Sequence, residues 1–156
     1  MKKILKAILI IGFPLIVGAV SGFLIRNNVY IYDVLQKPPF ALPNNLFSVV
    51  WGILYLLMGI SLYLFLYSNA TKKHLSDGTA LFCFQLLLNF SWSIIFFNMR
   101  MFFTAFLVIV ALFVFVAITT AAFYNTRKLS GILLIPYLLF LVYAGYLNFG
   151  IWFLNM

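Results

Sequence analysis

The strongest constraint in this sequence is a series of five apolar stretches, each long enough to cross a lipid bilayer as a helix. A membrane-spanning helix needs about 20 mainly apolar residues, whereas the strands of a membrane barrel are shorter and alternate in polarity. The stretches here are continuous and rich in Leu and Phe. We therefore predict an all-α integral membrane bundle of five transmembrane helices. The predicted helices cover residues of about 4–25, 46–68, 79–97, 102–124 and 129–154.

The composition favours a single membrane domain over residues 1–156. Hydrophobic residues make up 66% of the chain and charged residues only 8%, which is too little polar surface for a separate soluble domain. The net charge of +8 does not indicate nucleic-acid binding, because the basic residues lie at or near the ends of the predicted helices and form no stripe. We expect the protein to contact the lipid bilayer and no nucleic acid.

The basic residues also predict an orientation. Cytoplasmic loops of membrane proteins carry an excess of Lys and Arg. We therefore predict a cytoplasmic N-terminus and an outside C-terminus, in the cytoplasmic membrane of a bacterium. The N-terminal side carries Lys2, Lys3, Lys6, Lys72, Lys73, Arg127 and Lys128, and the opposite side carries Arg26, Lys37 and Arg100.

The connection between the first two predicted helices, residues 26–45, is by far the longest and is rich in Pro and Asn. Long connections inside compact proteins often cover a binding site. We predict a lid-like segment here. Pro14 and Pro136 fall inside the first and fifth predicted helices, where each removes one backbone hydrogen bond and favours a kink.

The third predicted helix carries polar side chains on one face. Gln85, Asn89, Trp92 and Phe96 follow one another at spacings of four, three and four residues, which places them on one side of a helix. Amides cannot face lipid without a large cost, so this face points inward. The amides then either bond neighbouring helices or line a cavity, and the sequence leaves both alternatives open.

The second and fifth predicted helices present aromatic faces of their own. An apolar pocket with aromatic walls and a few polar groups is typical of sites for flat hydrophobic ligands. Aromatic rings that only pack against one another would give the same pattern. The residues are Trp51, Tyr55 and Met58 on the second helix and Tyr137, Phe140, Ala144 and Asn148 on the fifth.

Groups for chemical catalysis are scarce. Asp33 and Asp77 are the only acidic residues, His74 is the only histidine and Cys83 is the only cysteine. We assign His74 to a solvated loop and predict no catalytic residue, no metal site and no cofactor. Ion-coupled transport is also disfavoured, because it usually needs ionisable groups within the helices.

Four motifs occur in order along the chain and together resemble the TspO/MBR family. The resemblance extends over nearly the whole chain through further single residues and pairs, namely Pro43, Met58-Gly59, Phe96-Phe97, Arg100, Ala105, Ala144 and Leu147-Asn148. The motifs are Gln36-Lys37-Pro38-Pro39-Phe40, Trp51-Gly52-Ile53-Leu54-Tyr55, Leu88-Asn89-Phe90-Ser91-Trp92 and Pro136-Tyr137-Leu138.

The resemblance implies a five-helix bundle that is often a homodimer, with a ligand cavity closed by the first loop. Family members bind porphyrins, sterols and benzodiazepine-type drugs, and some bacterial members are implicated in light-dependent porphyrin breakdown. Phe40 and Phe140 stand where the family usually has Trp, and Val108 stands where it often has an acidic residue. Position by position, Trp51, Asn89, Ala144 and Leu147 match the family's pocket residues, and Ser21 aligns with one on the first helix. Together with residues of the helix faces and of the first loop, the predicted ligand-binding residues are Trp51, Asn89, Ala144, Leu147, Phe40, Tyr55, Trp92, Phe140, Asn148 and Ser21.

These observations predict a membrane receptor or carrier for porphyrin-type tetrapyrroles and other flat hydrophobic ligands. Arg26, Lys37 and Arg100 are candidate partners for ligand carboxylates. Two alternatives stay open. One is a light-dependent porphyrin-degrading enzyme that uses Trp51. The other is a stress-sensing membrane protein that acts through protein partners, with the pairs Gly18…Gly22 and Ala117…Ala121 as close-contact faces.

Overall fold

The computed structural model describes residues 2–156, with the side chain of residue 2 left out. Helices account for 82% of the chain, and the described residues contain no strand. Five helices are long and apolar enough to cross a membrane, which confirms the predicted fold class. The helices are α1 (Lys2–Ile25), α2 (Ile31–Val34), α3 (Asn44–Leu66), α4 (Lys72–Ser93), α5 (Phe102–Thr126), α6 (Lys128–Ile132) and α7 (Ile135–Leu154), with a π-helical turn (Ile94–Asn98) that continues α4.

The third span begins seven residues earlier than predicted. Hydropathy marks the lipid-facing part of a helix, whereas α4 starts at Lys72, where the Thr71 hydroxyl caps the helix by accepting from the His74 backbone N–H (3.3 Å). A side-chain cap of this kind satisfies one of the free donors at a helix start. The assignment of His74 to a loop was therefore wrong. It lies in the first turn of α4, and its Nε2 is 2.8 Å from the Thr126 hydroxyl.

The fifth predicted helix is divided in two. Leu133 and Leu134 separate α6 from α7, and Pro136 is the second residue of α7. Proline is tolerated at the start of a helix, since the backbone N–H groups there have no helical partner. Pro136 therefore lies beside a break in the span. Pro14, in contrast, lies inside the continuous helix α1.

The helices α1 and α3 pack closely at one end and separate at the other. A Cβ atom on Gly59 would collide with the backbone of Ile11, and one on Gly18 would collide with the ring of Tyr55. At Gly22 and Gly52, in contrast, a Cβ atom would meet open space. We call the end where the helices separate the loop end, because it holds residues 26–43. The opposite end, which holds residues 67–71, is the N-terminal end.

The segment 26–43 is tied to α7 through its main chain. The Tyr143 hydroxyl accepts from the Leu42 N–H (3.0 Å) and donates to the Phe40 carbonyl (2.8 Å). Tyr146 donates to the Pro39 carbonyl (3.1 Å). The Asn155 amide accepts from the N–H of residue 36 (3.1 Å) and donates to the same residue's carbonyl (2.9 Å). These five hydrogen bonds hold the segment against the loop end of α7.

The tyrosine of α2 fixes the same segment from inside. Tyr32 is buried, and its hydroxyl donates to the Leu42 carbonyl (2.9 Å). Burial, with smaller contributions from Tyr143 and Asp33, raises the pKa of Tyr32 above its ordinary value. The phenol therefore stays protonated and remains a donor at physiological pH.

We expect Gly59→Ala to destabilise the protein and Gly52→Ala to leave it as stable or slightly more stable. Alanine raises helix propensity equally at both positions, but only at Gly59 does the methyl group collide with a backbone. Overpacking of this kind costs about 1–3 kcal/mol. Thermal unfolding in detergent, followed by circular dichroism, measures the difference. Equal unfolding temperatures for the two variants would contradict the close approach of α1 and α3.

Candidate functional site

Aromatic rings crowd around Trp51 in the loop half of the bundle. The Trp51 ring lies 5.4–6.2 Å, between ring centroids, from five other aromatic rings. Such spacing is typical of favourable edge-to-face and offset contacts. The structure thus brings Trp51 together with three other predicted site residues, Tyr55, Trp92 and Phe140. The five neighbours are Phe47, Tyr55, Trp92, Tyr137 and Phe140.

A cleft of about 580 Å³ lies beside this cluster, between α1, α3 and the end of α4. Its volume falls within the range of small-molecule sites, about 300–1,000 Å³. Five predicted residues line it, namely Ser21, Trp51, Tyr55, Trp92 and Arg26. The sequence predicted a site between the inward faces of α3, α4 and α7. The cleft instead lies nearer to α1.

The indole of Trp51 has an unused hydrogen-bond donor. Its side chain is only 9% exposed, and the buried Nε1 has no partner among the described residues. Buried donors are almost always paired, and leaving one unpaired costs about 1–3 kcal/mol. Trp51 also lines the cleft, and an acceptor there would remove this cost once a turn of the ring exposes the Nε1, which is buried in this structure.

Both ends of the Asn89 amide are hydrogen-bonded inside the bundle. Its Oδ1 accepts from the Tyr55 hydroxyl (2.5 Å), and its Nδ2 donates to the Tyr137 hydroxyl (2.8 Å). One side chain of α4 therefore joins α3 to α7. The sequence left open whether the amides of α4 bond neighbouring helices or line a cavity. In this structure Asn89 bonds neighbouring helices.

Asn148 has a similar role. Its Oδ1 accepts from the Trp92 indole N–H (2.9 Å), and its Nδ2 donates to the Phe102 carbonyl (2.7 Å). The ring of Trp92 is thereby held in place by α7. Gln85 is less well satisfied, since its Nε2 contacts only the Met58 sulfur (3.9 Å) and its buried Oε1 has no partner.

A second, very small void of about 10 Å³ lies beneath the segment 26–43. The predicted residues Ala144, Leu147 and Asn148 line it together with Tyr32. The void and the cleft share three lining rings, Phe47, Trp92 and Phe97. These rings form the wall between the two spaces.

Phe40 lies outside both spaces. Its side chain is 90% exposed and its backbone adopts a φ of +64°, a conformation that non-glycine residues rarely adopt. The hydrogen bond from Tyr143 to its carbonyl helps to hold this turn. The structure does not bring Phe40 together with the other predicted ligand residues.

The three basic residues near the loop end are placed differently. Arg26 lines the cleft, with its guanidinium 3.7 Å from the centroid of the Phe23 ring. Lys37 donates to the Tyr32 carbonyl (2.9 Å) and lines neither space. Arg100 is exposed and also lines neither space. Of the three, only Arg26 has access to a ligand in the cleft.

Sequence reasoning missed two aromatic residues that line both spaces. Phe47 lies four residues before Trp51, so the helical spacing of 47, 51 and 55 carried the signal. Phe97 had no such signal, because the π-helical turn Ile94–Asn98 adds a residue to the helical turn and shifts the register. The described residues contain no group of three or more His, Cys, Asp or Glu side chains able to hold a metal ion.

The model of the TspO/MBR family matches residues 10–153. The chain belongs to the TspO/MBR family. It is 39% identical to "Tryptophan-rich protein TspO" of Chlorobaculum tepidum over 155 residues, which covers 99% of this chain and 98% of the relative. It is 38% identical to the protein of the same name from Archaeoglobus fulgidus, with 98% and 99% covered. It is 32% identical to "Translocator protein" of Sus scrofa, with 91% and 87% covered.

We expect Asn89→Leu to destabilise this TspO/MBR protein, because two buried tyrosine hydroxyls lose their partner. Each unpaired hydroxyl costs about 1–3 kcal/mol. The triple variant Tyr55→Phe/Asn89→Leu/Tyr137→Phe removes all three polar groups and should recover most of the loss. Thermal unfolding in detergent compares the three proteins. If Asn89→Leu unfolds at the wild-type temperature, Asn89 does not join the helices as described.

Proposed function

We propose that this protein is a membrane receptor or carrier that binds porphyrin-type tetrapyrroles and other flat hydrophobic ligands in its loop half. The observation that carries the proposal is Trp51, a buried indole with an unpaired N–H beside a cleft of about 580 Å³. Flat aromatic ligands stack on such rings, and a ligand acceptor would satisfy the N–H. The names of the relatives, which include "Tryptophan-rich sensory protein" and "Translocator protein", support a receptor or carrier.

The binding residues follow from the two spaces. Ser21, Trp51, Tyr55 and Trp92 contact a ligand in the cleft. When the three rings shared by the cleft and the void turn aside, the void joins the cleft. A ligand then also contacts Ala144, Leu147 and Asn148. Phe140 completes the aromatic wall behind Trp51, and Asn89 holds Tyr55 in that wall through its hydrogen bond. Phe40 joins only when the segment moves.

Charge favours a ligand with an anionic group. Among the described side chains, Arg26 is the basic one that lines the cleft, and none of the acidic ones lines it. A guanidinium binds a carboxylate through paired hydrogen bonds. Porphyrins with propionate side chains combine a flat apolar body with such groups. Lys37 and Arg100 line neither the cleft nor the void, so Arg26 is the partner for a carboxylate bound in the cleft.

We further propose the setting in which binding occurs. The whole chain forms one domain, with its N-terminus in the cytoplasm and its C-terminus outside, in a bacterial cytoplasmic membrane. The separation of the basic residues between the two ends supports this orientation. The family resemblance supports a homodimer.

We expect Trp51→Phe to weaken protoporphyrin binding roughly tenfold, which corresponds to about 1.4 kcal/mol, because the variant lacks the indole N–H and part of the stacking surface. Titration of detergent-solubilised protein with protoporphyrin, followed by quenching of the remaining tryptophans, gives the dissociation constant. Trp152→Phe is the matched control, since Trp152 lies among Phe103 and Phe149 and lines neither space. Equal affinity of both variants, or quenching that never saturates, would overturn the proposed site.

We expect Arg26→Gln to weaken protoporphyrin binding roughly two- to fivefold at low salt, since ion pairs near a protein surface are worth about 0.2–1 kcal/mol. Arg100→Gln is the matched control and should bind as the wild type does. The dimethyl ester of protoporphyrin lacks the carboxylates, so all three proteins should bind it equally. An equal loss for the ester would show that Arg26 acts through something other than the carboxylates.

A further inference from the structure

The cleft opens on the side of the bundle, between α1 and α3. Gly22 and Gly52 are both exposed, line the cleft and have open space where a Cβ would be. Both lie within candidate membrane spans, Lys3–Ile25 and Asn44–Leu66. Gly52 is eight residues into α3, which is about 12 Å along the helix axis at 1.5 Å per residue. The opening therefore faces the depth of the lipid acyl chains as well as the membrane surface.

The segment 26–43 closes the α7 side of the bundle in the same structure. Hydrogen bonds from Tyr143, Tyr146 and Asn155 hold the segment 26–43 on α7. Pro38 is buried, and a Cβ on Gly150 would collide with its ring (2.6 Å). The segment is thus closed on the α7 side, whereas the α1–α3 side is open.

The chemistry of the opening changes along its length. Its deeper wall is apolar or aromatic, with Leu15 and Tyr55, and its loop end carries the polar side chains of Asn44 and Arg26. Arg26 directly follows the last residue of α1, which places its charge at the depth of the lipid headgroups. An amphiphile in one bilayer leaflet has the same order of groups, with its charge at the surface and its apolar body below.

We propose that the cleft is a lateral portal through which a carboxylate-bearing amphiphile dissolved in the bilayer slides between α1 and α3 to Trp51. This inference rests on the proposed function. The ligand keeps its carboxylate beside Arg26 and its apolar body in the acyl region throughout. It passes directly from lipid to protein, without crossing water and without detaching the segment 26–43 from α7.

The test measures the rate of binding in a membrane. Wild type, Gly22→Phe and Gly52→Phe are placed in phosphatidylcholine vesicles and mixed with vesicles preloaded with protoporphyrin, and tryptophan quenching is followed by stopped flow. The phenylalanine rings fill the portal, so association and dissociation should both slow about tenfold, as gated access predicts. Gly12→Phe is the matched control, because Gly12 also lies on α1 with open space at its Cβ position but outside the cleft.

Tyr143→Phe tests the competing route beneath the segment 26–43. It removes a hydroxyl that holds the segment, so entry from the top would become faster, whereas the portal predicts an unchanged rate. Faster association in Tyr143→Phe, or rates in both portal variants equal to that of Gly12→Phe, would overturn the portal while leaving the proposed function intact. Absence of saturable quenching in the wild type would overturn the proposed function and the portal with it.

A second measurement covers the case in which phenylalanine prevents folding. Gly52→Cys in a Cys83→Ser background introduces a small thiol at the portal. A lipid-soluble methanethiosulfonate should modify it in vesicles, and protoporphyrin should slow the reaction. Gly12→Cys in the same background should react equally fast with and without protoporphyrin. Equal protection at both positions, or at neither, would contradict the portal.

Discussion

The hydrogen bonds of Asn89 are the interaction on which the loop half of the bundle depends. A transmembrane bundle gains little from hydrophobic burial between its helices, because lipid tails are as apolar as side chains. Polar groups that find partners only in one arrangement therefore specify how the helices pack. Asn89 accepts from Tyr55 on α3 and donates to Tyr137 on α7. This single residue of α4 fixes the rotation of three helices about their axes.

The aromatic cluster follows from that fixed rotation. Tyr55 and Tyr137 can reach Asn89 only if their faces of α3 and α7 point inward, and Trp51 and Phe140 lie on the same faces. Trp92 is one helical turn from Asn89 and is held by Asn148. The interior is consequently filled with rings on the α7 side. The larger space lies toward α1, which is joined to α3 through Gly18 and Gly59 at the other end of the contact.

The number of membrane-spanning helices and their inward faces were predictable, since both depend on which residues avoid lipid. The start of α4 at Lys72 was not, because its first turns are polar and a cap at Thr71 determines where the helix begins. The place of the cleft was not predictable either. Periodicity identifies inward side chains, such as Asn89 and Ala144, but not whether they fill the interior or leave it open. The exposure of Phe40 was not predictable either, because the motif that suggested it as a ligand residue carries no information on a backbone turn with positive φ.

The hydrogen bonds between α7 and the segment 26–43 keep the bundle covered without depending on the side chains that the segment exposes. Tyr143, Tyr146 and Asn155 bond the main chain of the segment, and a main chain offers the same groups whatever its side chains are. Residues such as Phe40 and Gln36 can therefore change between related proteins without loss of these bonds. Natural selection is free to alter what this surface displays to the outside while the bundle beneath stays covered.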